Sequence, residues 1–194
     1  MTLDARSDAL VEEELKTEKE ENKNVNSSDD SERTVSSCNN HWCIQEVEYT
    51  NYEYFSVPEK QTGFKSWMPY TALSKNSPNY KLLKTKGKVD SNGLWQIDGY
   101  YCVALGSYYS KSLGNIFELQ LSSGNKITVI TVDHKADIHT DSTNRVTKTN
   151  GCIVEFIVDK TKLNSTIKTT GSVGSLTEFS GTVVSIAKIG NIFD

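Results

Sequence analysis

Residues 117–132 read FELQLSSGNKITVITV, and the reading of this stretch decides the fold. Strands dense in β-branched and apolar residues flank Ser122–Asn125, a short block whose Gly and Asn favour a chain reversal. Two strands joined by a tight turn are predicted. Working outward, the segments LWQIDGYYCVAL, NIFELQL, KITVITV, CIVEFIV and TVVSIAKI are each dense in β-branched and aromatic residues and read as strands. No long amphipathic helix is signalled after Phe64; a few helical turns are allowed between Asp159 and Thr169. Short strands without helices for parallel crossovers predict an all-β domain, a small barrel that disposes of its edges by closing on itself.

The remainder of the 194-residue chain divides by composition. Residues 1–40 are rich in Glu, Asp, Lys, Asn and Ser, with too few apolar side chains to offset the entropy of ordering a backbone, and read as a disordered acidic leader. Residues 41–63 read as a linker or a peripheral strand, on the partial alternation of CIQEVEYTNYEYFSV. Residues 64–194 form the barrel domain. The net charge of −4 argues against an electrostatic nucleic-acid binder, which needs a basic face. No run approaches the ~20 apolar residues of a membrane span, and MTLDARSDALVEEELK lacks the basic start and apolar stretch of a signal peptide.

The cysteines are Cys38, Cys43, Cys102 and Cys152. CNNHWC is not followed by a second pair of close ligands, so no metal site is expected there. Cys102 in GYYCVAL and Cys152 in GCIVEF read as buried thiols packing as small hydrophobes, with a disulfide between them as the alternative.

Polar chemistry concentrates in TVDHKADIHTDSTNR, directly after an apolar strand, where rigid scaffolds usually present function. Asp133, Asp137 and Asp141 would stand too far apart to cooperate in an extended segment, and come together only if the loop folds back. Three readings compete: acid/base catalysis by crowded carboxylates, a divalent-cation loop, and turn-capping by Asp, Thr, Ser and Asn. The cation reading lacks the EF-hand spacing and its Gly. Aromatic residues add a second theme, since exposed rings suit sugars or peptides, and Trp67, Tyr108 and Tyr109 are the candidates. Trp95 and Tyr101 are expected in the core.

The order CVALGSYYSKSLGNIFELQLSSGNKITVITVDHKADIHTD followed by GCIVEFIVD resembles the double-psi β-barrel proteins of the RlpA-like, 3D-domain and barwin-like endoglucanase group. The resemblance covers about Gly99 to Asp159, with Leu105-Gly106 in place of the group's first turn, Asp133 as its loop aspartate and Glu155 as its strand acid, usually Asp. Two departures stand out: Leu105 falls where the 3D domain has its first aspartate, and HKADIHTDSTN replaces the glycine-rich loop. The resemblance implies a six-stranded double-psi β-barrel with little helix. It implies a cell-wall-active domain cleaving peptidoglycan glycan strands, with Asp133 or Asp137 as the acid, Glu155 and Asp141 tuning its charge, and His139 or Asn144 orienting the sugar. No metal and no cofactor is expected, the partner is peptidoglycan or another polysaccharide, and the domain is expected to be monomeric. A non-catalytic carbohydrate-binding or structural module of a cell surface or phage particle is the alternative. The resemblance implies an extracellular or cell-wall-associated location, phage-encoded origin included; the lack of a signal keeps a cytoplasmic one open.

Overall fold

The computed structural model describes residues 52–194, and in it the SSGN block is the tight reversal expected, with Leu121 N–H donating to Asn125 O (2.8 Å) and Gly124 in the left-handed region at φ 91°. The acidic leader, Cys38 and Cys43 lie outside the described residues. Nine strands follow the chain: β1 Glu53–Phe55, β2 Ser66–Pro69, β3 Gly87–Val89, β4 Trp95–Ile97, β5 Tyr100–Leu105, β6 Asn115–Leu121, β7 Lys126–His134, β8 Glu155–Val158 and β9 Val183–Asn191. Two short α-helices, α1 Pro78–Lys86 and α2 Ser165–Thr170, and several 3-10 turns complete the architecture. The segment read as one strand, LWQIDGYYCVAL, is a hairpin: Asp98 (φ 51°) and Gly99 (φ 85°) take the left-handed conformations of a two-residue turn between β4 and β5.

All nine strands join one mixed sheet, running β1-β9-β6-β7-β5-β4-β3, with β8 beside β5 and β2 beside β8. Two pairs are parallel, β5 with β7 and β2 with β8. One edge of β5 is shared: Tyr100 and Tyr101 pair with β4, whereas Val103 and Ala104 pair with β8. Both faces of the centre are buried. Val103, Leu105, Phe117, Val129, Phe156 and Val158 belong to one apolar cluster, and Cys102, Ile130, Val132 and Ile157 belong to a second, together with Leu73 and Leu83. Burial on both faces explains why CVAL, VITV and EFIV read as nearly continuous apolar runs.

Against the six-stranded barrel expected, the described residues form a nine-stranded mixed sheet, in which no ladder joins β9 to β2. The two come together instead at glycine and through side chains. A Cβ on Gly63 would lie 3.3 Å from the Gly181 carbonyl oxygen. The Gln61 amide acts as a surrogate peptide, donating to Val183 O (2.6 Å) and accepting from Val183 N–H (3.1 Å). Lys65, only 2% exposed, donates to Gly181 O (2.6 Å). Burial draws the Lys65 ammonium down to about 8, against the opposing pull of nearby Cys152. No helix among the described residues is long and apolar enough to cross a membrane.

Candidate functional site

The register of three strands sets the first feature. Ala104 on β5 is the Cα partner of Asp133 on β7 and also of Glu155 on β8, and Glu155 is in turn the partner of Ser66 on β2. Ala104, Glu155 and Ser66 pair in unbroken register and share one face of the sheet, whereas the β5–β7 register shifts at Val103/Ala104, and the bulge turns Asp133 onto that row, toward Asn79. With the alanine strand between them, the two acids are separated by two strand spacings, about 10 Å at the backbone. Both carboxylates are half-buried, and the methyl of Ala104 between them is buried.

Each acid is held by a neutral donor. Asn79 Nδ2 on α1 donates to Asp133 Oδ1 (3.1 Å), and Ser66 Oγ donates to Glu155 Oε1 (3.3 Å). The helix that brings Asn79 is set by Ser77, whose hydroxyl accepts from Tyr80 N–H, and by Pro78 in the first turn. Leu83 buries its inner side in the second apolar cluster, which fixes α1 on the face that carries the row.

Asp137 and Asp141 do not join this row. Asp137 opens a 3-10 turn, Asp137–His139, on the exposed loop and accepts from Ser107 Oγ (2.6 Å). Asp141 organises its own turn: Oδ1 accepts from the N–H groups of Arg145 (2.8 Å) and Val146 (3.0 Å), and the Thr143 hydroxyl bonds to Oδ2. Desolvation works to raise the Asp141 carboxyl, but the hydrogen bonds from Thr143, Val146 and Arg145 outweigh it and hold the group at about 2. With these hydrogen bonds Asp141 acts as a strut of its own loop, apart from the row.

The other candidates are similarly engaged. Asn144 is left-handed (φ 55°), accepts from Thr140 Oγ1 (2.9 Å), and its carbonyl faces Gly106, where an added Cβ would lie 2.0 Å from the oxygen. His139 is exposed at the end of the 3-10 turn, and its carbonyl accepts from Lys148 N–H (2.9 Å). Trp67 pairs in register with Phe156 and packs on the main core, so it points away from the row. Tyr109 is buried at 3% exposure with its ring on Phe55, a core position and not a sugar platform; burial pushes its phenol well above the usual range. Tyr108 alone keeps an exposed ring, with the Arg145 guanidinium 4.1 Å from its centroid and its hydroxyl on Ser56 (2.8 Å). No group of three or more His, Cys, Asp or Glu suited to a metal ion occurs among the described residues.

A second polar cluster adjoins the row and was not anticipated. Lys135, one residue past β7 and 7% exposed, donates to Cys152 Sγ (3.2 Å), Cys152 O (2.8 Å) and Thr147 Oγ1 (2.9 Å). Ser66 Oγ lies 3.1 Å from the same sulfur. The expected burial of both thiols holds, and neither Cys102 nor Cys152 forms a disulfide among the described residues. Their environments are opposite: burial alone drives the Cys102 thiol far up, whereas for Cys152 burial is outweighed by Lys135 and the hydrogen bonds of Ser66 and Thr147, and the thiol is lowered. A Lys immediately following an acidic strand end gave no signal in the sequence, because its partner lies 17 residues away. The Ser77-Pro78 pair was a readable helix start and would have brought Asn79 into view.

Comparison of the chain with protein families, with curated proteins and with solved structures finds no match.

The Asp141 carboxyl is held at about 2, below the ~3.9 of an unfolded chain, so the unfolded state takes up its proton first as pH falls. Its contribution is therefore complete above about pH 4 and is lost as pH drops toward 2. Asp141→Asn is expected to lower the urea midpoint at pH 7 and to converge on the parent protein in titrations carried down to pH 2. Parallel curves across that window would show that the hydrogen bonds do not discriminate the charged form.

Proposed function

We propose that this domain cleaves peptidoglycan glycan strands by carboxylate acid/base catalysis, with Asp133 as the group that protonates the glycosidic oxygen and Glu155 as the opposing carboxylate. The observation that carries the reading is the placement of these two acids on one face, on either side of Ala104. A backbone separation of about 10 Å allows carboxyl groups of these lengths to stand at the ~6.5–9.5 Å that leaves room for a water, and leaning inward brings them nearer the ~5 Å of a direct attack. In a transglycosylase variant no water is needed, and the opposing carboxylate stabilises charge on the sugar ring. Two residues bias this choice: Asn79 fixes Asp133, and Ser66 fixes Glu155.

The strands β2, β8, β5, β7, β6 and β9 follow one another in the sheet and contain both parallel pairs, and we assign them to a double-psi β-barrel whose last seam is bridged by Gln61 and Lys65. The alternative is a saccharide-binding module without chemistry, favoured by the exposed Tyr108 ring with its neighbouring guanidinium. Incubation of the full chain with purified cell wall, followed by mass spectrometry of the soluble fraction, separates them. Anhydro or hydrolysed sugar ends are expected; retention on the wall with no soluble product overturns the enzymatic reading.

A further inference from the structure

We propose that Lys135 and Cys152 are a built oxidation site, at which hydrogen peroxide joins the two side chains by a sulfur–nitrogen bond. The inference is independent of the wall substrate. The Nζ and Sγ atoms are 3.2 Å apart, both residues are buried, and Cys152 forms no disulfide among the described residues. The remaining acceptors of the ammonium, Cys152 O and Thr147 Oγ1, are neutral. The charge of the thiolate is therefore the one that Lys135 meets by direct hydrogen bond. Lys65 is the other cation near the sulfur, with its Nζ turned to Gly181 O and Gly63 O.

Thiolates, not thiols, react with peroxide, and the neighbouring cation with two hydroxyl donors favours the anion at this site. Cys102, set in an apolar cluster, has none of these partners and is the internal contrast. The hydroxyl side chains lying on Sγ, Ser66 and Thr147, are small and half-buried, so modest side-chain motion admits an oxidant little larger than water.

The chemistry balances without other reagents. The thiolate attacks one peroxide oxygen, the O–O bond breaks, and a sulfenic acid and hydroxide result. The hydroxide takes a proton from the adjoining Lys135 ammonium, and the first water forms. The free amine then attacks the sulfenic sulfur, the S–O bond breaks, and a second water leaves. Sulfur is oxidised by two electrons, and one peroxide becomes two waters. Thiol reductants reverse the step by attack at sulfur.

The bond has a consequence one residue away. The single hydroxyl proton of Ser66 faces two acceptors, Sγ at 3.1 Å and Glu155 Oε1 at 3.3 Å. A sulfenamide sulfur carries no charge, so oxidation commits that proton to Glu155; on the reading of Glu155 as a catalytic carboxylate, the cross-link becomes a control on the site.

The test is peptide mapping of the full chain after treatment with hydrogen peroxide and quenching with catalase. An unmodified Lys135 is a trypsin site, and a cross-linked one is not. The expected product joins residues 127–145, uncut at Lys135, to residues 149–160, with a loss of two hydrogens, and reduction with dithiothreitol releases both. Lys135→Arg keeps the positive charge but not the amine, and is expected to abolish the linked peptide while Cys152 still oxidises. Lys135→Met should slow Cys152 oxidation by about tenfold or more. Oxygen addition at Cys152 without linkage in the parent protein, or a reaction confined to Cys102, overturns the proposal. Because the readout is a mass, its failure is distinct from a failure to digest cell wall.

Discussion

Asp133→Asn is expected to reduce release of soluble muropeptides from purified cell wall by about 10²- to 10⁴-fold, the usual range for loss of a general acid. The substitution is close to isosteric, and an amide oxygen at this position still accepts from Asn79, so the end of β7 keeps its anchor. On the proposed mechanism Glu155→Gln should produce a comparable loss, because the two acids flank Ala104. Asp137→Asn is the informative contrast. That carboxylate sits on the exposed loop with Ser107 and off the row, and its replacement is expected to leave turnover within about twofold, as for surface changes away from chemistry. Normal digestion by both Asp133→Asn and Glu155→Gln would remove the catalytic reading and leave the binding module. A loss with Asp137→Asn alone would relocate the acid to the loop.

The largest effect on stability is expected at Phe156. Its ring is fully buried, edge-on to Phe179 at 5.3 Å and to Tyr101 at 6.0 Å, on the strand residue that pairs with both Trp67 and Val103. Phe156→Ala should cost about 3–5 kcal/mol, the lost transfer free energy plus the cavity left among these rings. Against a total stability of ~5–15 kcal/mol that is a large share, and the thermal midpoint should fall by on the order of 10 °C or more. Ile138→Ala, at a side chain 75% exposed on the loop, serves as the control and should change stability by no more than about 0.5 kcal/mol. Equal effects at the two positions would mean that the aromatic cluster does not hold the sheet.

The parts of this fold that could be read from the residues are those fixed by near neighbours. The β6–β7 hairpin follows from the β-branched and apolar runs around SSGN, and the buried thiols follow from their apolar surroundings. The Asp98-Gly99 turn and the Ser77-Pro78 helix start are equally local, the first hidden inside an apolar run and the second in a proline that also reads as loop punctuation. The rest is decided by pairing at a distance. SWMP is an unremarkable apolar piece until β8 lies beside it, and only that pairing sets Ser66 against Glu155 and Cys152. The aspartate loop failed as a joint site for the same reason in reverse. Its short-range polar chemistry satisfied itself, Asp141 with its own amides and Asn144 with Thr140, while the one acid still within the strand met its partner through the register of β5.

The parallel pairing of β2 with β8 also bears on how the chain reaches its final shape. Ser66 and Glu155 are 89 residues apart, and β1 meets β9 over a still longer span. Contacts of such long loop span must be closed before they contribute, so this topology belongs with slow folders whose nucleus is local. The β6–β7 hairpin is complete once His134 has been synthesised, but β2 has no partner until some twenty residues later. During that interval its unpaired edge is open to other chains, so synthesis at low chain concentration is expected to limit misassembly.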